Sequence, residues 1–404
     1  MKKTYLLPLL AISALFTACS KDDDSVNDDV DHNDEHKNAS LLISDANSAT
    51  LNFINVDNEE VTAYQASYAK GSVYVTESGR YAVITHRDNN YTETFNIGGE
   101  IDHGDHSHDL GETGFGAIKF ESQKPTHFKS EQDYVAVYND GDATLSIFKE
   151  KTIENSTTVK NIPTGTTAHH GAMVIFKNGN IAVTNLGNGA VLPEKVHIIN
   201  QDGEVVSKEE QSLSTSGIHG SAGNNTTALF GSNTGVLVVK DNGEQKIIDY
   251  PTNFEENVWF GSILGTTSDA IFVGYTSSKG AYFININSEE ITPIHETAEL
   301  FKCMVSRDKK EVLSLTKSGD IKVTNVISNS VVYEGKLSIT MDTESDGHGS
   351  VTSSIDYFDD SLYISIPSEE KIIKCNLEEM EVVKEFNLGI TPYQFKILEY
   401  DIEH

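Results

Sequence analysis

From Ala39 onward, short apolar or alternating runs are separated by turns rich in Gly, Asn, Asp and Ser, and helical periodicity is nowhere sustained for three turns. This pattern predicts an all-β chain. The runs are also self-similar. The segment Gly171-Ala-Met-Val-Ile-Phe-Lys-Asn-Gly-Asn-Ile-Ala-Val-Thr-Asn185 has the same strand, turn, strand layout as Cys303-Met-Val-Ser-Arg-Asp-Lys-Lys-Glu-Val-Leu-Ser-Leu-Thr-Lys317, which leads into a third strand ending at Asn325.

Marking the start of the first strand in each unit gives Gly71, His127, His170, His219, Phe260, Cys303, His348 and Gln394, with steps of 41 to 49 residues from the second mark on. A repeat of that length holding about four strands predicts a β-propeller. The first step, 56 residues, is longer by roughly the length of a His-rich insertion between a strand at 91–97 and one at 116–120. Residues 41–66 supply three strands without an inner one, and residues 393–398 supply a lone strand. Together they predict one composite blade that closes the ring. The expectation is therefore eight blades, or seven if that first unit is not a blade.

Four of the eight marks are histidine (His127, His170, His219, His348), although only 14 of 404 residues are His. The innermost strand of a propeller blade lines the central channel, so these positions share one mouth. Glycine flanks three of them and would let the backbone crowd the axis. A lone channel histidine reads most simply as a hydrogen-bonding residue. Several together favour a shared cation, which makes His127, His170 and His219 candidate metal ligands, with His169 and His348 as weaker candidates. His86 ends a second strand at the same mouth, while His197, His295 and His404 read as surface or turn residues.

The insertion, Ile101-Asp-His-Gly-Asp-His-Ser-His-Asp-Leu110, adds His103, His106 and His108 beside three carboxylates. Neutral imidazole suits zinc, copper and nickel, and a turn at Gly104 would let these side chains converge. A connection between third and fourth strands belongs to the mouth opposite the first-strand starts. One shared site, if the loop bends over the ring, and two separate sites are both compatible with the sequence.

The net charge of −31, from 61 acidic and 30 basic residues, argues against nucleic acid or an anionic membrane surface as partner and makes cations the natural ones. No HExxH, phosphate-binding Gly-rich loop, Ser-His-Asp set or paired-carboxylate motif stands out, so the expectation is a non-enzyme, with a metal-independent interaction propeller as the alternative reading and a metal-dependent hydrolase as the less favoured one. Met1-Lys-Lys-Thr-Tyr and the short apolar run to Phe16 predict a secretory signal over 1–18. Phe16-Thr-Ala-Cys19 resembles a lipoprotein cleavage box with Cys19 as the lipidated residue. The run Ser20-Lys-Asp-Asp-Asp24 is similar to the acidic signal that sends some lipoproteins to the outer face of the outer membrane. Residues 19–38 then form a lipidated acidic disordered tether, read as a spacer or, through His32, Asp34 and His36, a weak metal-capturing arm. The propeller occupies 39–404. Cys303 and Cys375 lie in apolar runs and are expected as buried thiols.

Taken in order, Asp102 to His108, Pro125 to His127, His169-His170-Gly171 and Ile218-His219-Gly220-Ser221-Ala222 resemble the motifs of the AztD-type zinc metallochaperones of the bacterial periplasm. The resemblance covers roughly residues 68–245 by motif and the remainder by blade pattern. It implies a propeller that holds Zn2+ at histidine sites near its channel and passes it to the solute-binding protein of a zinc ABC transporter. A monomer in the cell envelope, anchored to the outer membrane and facing the periplasm or the surface, completes the expectation.

Overall fold

The computed structural model describes residues 38–56, 58–102, 107–187, 190–345, 347 and 349–400. They form eight antiparallel blades. In chain order the innermost strands are Pro392–Tyr400 for blade 1, then Ser72–Val75, Pro125–Glu131, Met173–Ile175, Ile218–Gly223, Ser262–Gly265, Leu300–Val305 and Ile355–Phe358. Blade 1 is composite. Its inner strand comes from the end of the chain and pairs with Asn38–Asp45, in register from Asn38 against Tyr400 to Ser44 against Gln394.

Burial explains why the strands read as they do. Second strands lie deep in the blades with both faces covered, so Tyr81–His86, Thr227–Ser232 and Ser361–Ile366 are buried at every residue and alternate little in polarity. Outer strands such as Val331–Lys336 are mostly exposed and mix Val with Glu and Lys. The apolar clusters sit between blades. Leu42, Leu51, Ala82 and Phe95 join blades 1 and 2, and Ile364, Ile373, Leu313 and Val323 join blades 7 and 8. Tyr363, Ile372, Ile43 and Phe395 join blade 8 back to blade 1, so the ring is closed by packing as well as by strand pairing.

Three features differ from the expectation. Blade 4 has three strands, since the chain after Lys195–Ile199 turns at Gly203 and makes only an isolated bridge between Ile199 and Val205. Side chains take over part of the missing edge. Ser207 Oγ accepts from the Ile198 amide at 2.9 Å, and Gln245 Nε2 donates to the Val196 carbonyl at 2.8 Å. Secondly, the inner strand of blade 8 starts at Ile355, later in the chain than the expected mark. Thirdly, His197 is buried within a strand, where its Nε2 donates to the Thr164 carbonyl at 2.6 Å, rather than lying at the surface. Cys303 and Cys375 are buried free thiols, as expected.

Within blade 2 the third strand, Tyr91–Asn96, connects to the fourth, Gly114–Glu121, through a two-stranded hairpin of Glu100–Asp102 and Ser107–Asp109. Strand direction assigns this connection to the mouth opposite the starts of the inner strands.

Candidate metal centre

Two of the three central histidines stand on β-bulges. The inner-strand register shifts between Pro125 and His127 in blade 3, and between His219 and Ser221 in blade 5. A bulge rotates the side chain beside it out of the regular alternation, here toward the channel. His170 lies just before the inner strand of blade 4, where neighbouring glycines permit close approach. A Cβ on Gly171 would lie 2.2 Å from Tyr138 Cζ, and one on Gly220 would lie 2.5 Å from the Gly261 carbonyl oxygen.

His170 stands between the other two rings with its Nε2 facing both, while the ring centres of His127 and His219 are 6.3 Å apart. His170 Nε2 is 3.2 Å from His127 Nε2 and 3.2 Å from His219 Nε2. Behind the cluster, His170 Nδ1 donates to Asp140 Oδ2 at 2.8 Å and His219 Nδ1 donates to the Gly261 carbonyl at 2.8 Å. Those bonds place the ring protons on Nδ1 and leave the Nε2 lone pairs facing the shared centre.

Burial, then the neighbouring His170, depress the His127 pKa to about 3, so this imidazole is neutral near neutral pH. Burial alone would raise the Asp140 carboxyl, but the hydrogen bond from His170 holds it below the usual carboxylate value. Arg87 also reaches this carboxylate, with Nη2 3.3 Å from Asp140 Oδ2 and Nε donating to Thr126 Oγ1 at 3.1 Å. Ligand atoms of His127, Asp140 and His170 lie within 4.8 Å of one another. Asp140, however, sits on the Nδ1 side of His170, so it orients the ring rather than sharing an ion at Nε2.

The other histidines have other roles. His169 is buried and turned away from the cluster, with Nδ1 on the Thr167 carbonyl at 2.7 Å and Nε2 3.0 Å from Thr184 Oγ1. His86 pairs its Nε2 with Glu93 Oε1 at 2.9 Å in a fully buried contact. His108 is half-buried on the inserted hairpin. Cys19, His103, His106 and His348 lie outside the described residues.

Sequence reasoning missed Asp140, Arg87 and the Gly261 carbonyl. A signal for Asp140 existed, because Asn139-Asp140 ends the second strand of blade 3 in the phase that His86-Arg87 holds in blade 2. The Gly261 contact had none, being a backbone group of the neighbouring blade.

The wholly or partly buried histidines carry an acid-stability consequence. His127, His169, His197 and His295 all have pKa values lowered primarily by burial. Each takes up a proton in the unfolded chain near pH 6.5 but not in the folded one. Its contribution is therefore complete above that pH and is lost as pH falls toward the lower folded value. Thermal unfolding of the metal-free protein should show Tm falling between pH 7.5 and pH 5, by of order 1 kcal/mol of stability per histidine. A flat profile across that window contradicts the assignment.

No family model matches the chain. Its sequence is 21% identical over 378 residues to the zinc chaperone AztD of Citrobacter koseri, spanning 87% of this chain and 85% of that protein. The crystal structure of Citrobacter koseri AztD superposes with a TM-score of 0.78 at 18% identity, covering 91% of this chain and all of that one. The apo structure of AztD from the same organism gives 0.76 at 16% identity, over 90% of this chain and 99% of that one. A less similar structure, that of the dihydro-heme d1 dehydrogenase NirN, gives 0.60 at 11% identity, over 88% of this chain and 74% of that one. The chain is an eight-bladed β-propeller similar to the zinc chaperone AztD in sequence along most of its length and in fold.

Proposed function

We propose that this protein holds zinc where His127, His170 and His219 meet and passes it to another protein by ligand exchange. The observation that carries this reading is the pair of 3.2 Å separations between Nε2 atoms. Nitrogens bound to one tetrahedral zinc at about 2.0–2.1 Å stand about 3.3–3.4 Å apart, close to the two edges that His170 makes, and drawing His127 and His219 together would complete the set. With no cation between them, at least two of these lone pairs oppose one another. The carboxylate behind His170 and the carbonyl behind His219 are the supports that fix ring orientation and raise ligand basicity at a metal.

Three imidazoles leave a fourth coordination position, through which an incoming ligand can bind before a histidine departs. The similar protein is named a chaperone rather than an enzyme, in agreement with the lack of a catalytic motif here. We take the receiver to be the solute-binding protein of a zinc ABC transporter, and the chain to be a monomeric lipoprotein of the envelope, held to the outer membrane at Cys19 and facing the periplasm or the surface. His103, His106 and His108 then form a second capture site at the other mouth.

Trp259, the one tryptophan of the chain, lies 6.4 Å from the His219 ring between ring centres and supplies a built-in reporter. A zinc titration against a competing chelator, followed by Trp259 emission, should show one tight site in a variant with His103, His106 and His108 changed to Ala. Asp140→Asn should weaken it by about 10- to 100-fold. Affinity should fall on acidification, because protons compete for the same nitrogens. Zinc-loaded protein mixed with a metal-free zinc solute-binding protein should lose its metal to it. Binding no tighter than micromolar in the wild type removes the metal reading altogether.

A further inference from the structure

A cavity of about 750 Å³ opens beside the histidine cluster, at the same mouth, with His127 in its wall. Its size falls in the range of small-molecule sites. Among the described residues, the charged groups lining it are Lys70, Arg87 and Asp88. Two cations against one carboxylate run counter to a chain with 61 acids and 30 bases, and the Asp88 side chain is 93% exposed to water. The rest of the lining is mainly hydroxyl and amide groups, Thr126 and Gln394 among them. His86 also lines it, and its buried Nδ1 has no hydrogen-bond partner among the described residues.

We propose that this cavity binds a small chelating carboxylate, a hydroxy or amino acid, that arrives with the zinc and fills its fourth position. The proposal rests on the zinc reading above. Three neutral imidazoles leave the ion with its full charge of two, so an anionic fourth donor is favoured over a neutral one. A single water would fill only a small part of the space. A carboxylate whose tail lies in the cavity meets the Arg87 guanidinium and the Lys70 ammonium, and Arg87 in turn contacts Asp140 behind His170. The ion is thus handed from chelate to protein one bond at a time, without passing through the free hydrated state.

The test uses citrate as probe, with tricarballylate, which lacks the hydroxyl and chelates zinc weakly, as control. Equilibrium dialysis of labelled citrate against zinc-loaded and metal-free protein is expected to show about one citrate per chain on the loaded form and at least tenfold weaker binding to the metal-free form and of tricarballylate. Lys70→Glu should weaken citrate binding about fivefold, as expected for reversing one exposed charge, while zinc affinity measured without citrate is unchanged. Citrate that only strips zinc, binds both forms equally, or is indifferent to Lys70→Glu overturns the proposal while leaving the zinc site standing. Failure to retain zinc before any citrate is added takes down both.

Discussion

Changing His170 to alanine is expected to weaken zinc binding more than a hundredfold, the largest loss for any single histidine. Its Nε2 lies 3.2 Å from both other Nε2 atoms, so it is the ligand shared by both measured edges of the site. Structural zinc sites are worth about 10–16 kcal/mol over four ligands, which gives roughly 3 kcal/mol for one, or more than two orders of magnitude in Kd. The adjacent His169→Ala should leave zinc affinity nearly intact and lower Tm instead, because that ring holds the Thr167 carbonyl and Thr184 away from the ion. Competition titrations and thermal melts of the two variants separate these outcomes. Equal effects on zinc from both would mean that the channel cluster is not the site. Replacing His103, His106 and His108 together should leave the channel affinity unchanged, since the hairpin belongs to the opposite mouth.

A chain ending at Thr391 is expected not to fold cooperatively. The lost strand is the innermost of blade 1, and its Phe395, Ile397 and Leu398 are at most 2% exposed. Burying three such side chains contributes about 5–9 kcal/mol, comparable to the whole net stability of a typical domain. The truncation also strips the ladder from Asn38–Asp45 and opens the ring between blades 1 and 2. Circular dichroism on heating should show a broad, weak transition where the intact chain melts sharply. A sharp transition within a few degrees of the intact chain would show that the closing strand is dispensable.

The fold was largely legible because a propeller is built from a repeat, and a repeat writes its period into the order of apolar runs and turns. Blade 1 could be assembled from two distant pieces because residues 41–66 had three strands and residues 393–398 had one. Blade 4 stops at three strands although Val205 and Val206 have the composition of a fourth. Only the turn at Gly203 and the side chains of Ser207 and Gln245 decide that the edge is finished another way. Likewise, His197 was assigned to the surface because a single polar residue carries no sign of the carbonyl it meets.

At the site, the sequence alone determined which residue types recur at the inner-strand starts and hence that His127, His170 and His219 share a mouth. Sequence position fixes place along the repeat. It ranked His170 above His169 by place in the repeat, but the direction each side chain takes depends on the bulges and on whether Gly171 and Gly220 let neighbouring blades approach. Nor could it find Asp140, Arg87 or the Gly261 carbonyl as supports, or the cavity beside His127. These arise from contacts between blades tens of residues apart in the chain, and only closure of the ring brings such groups to hydrogen-bonding distance.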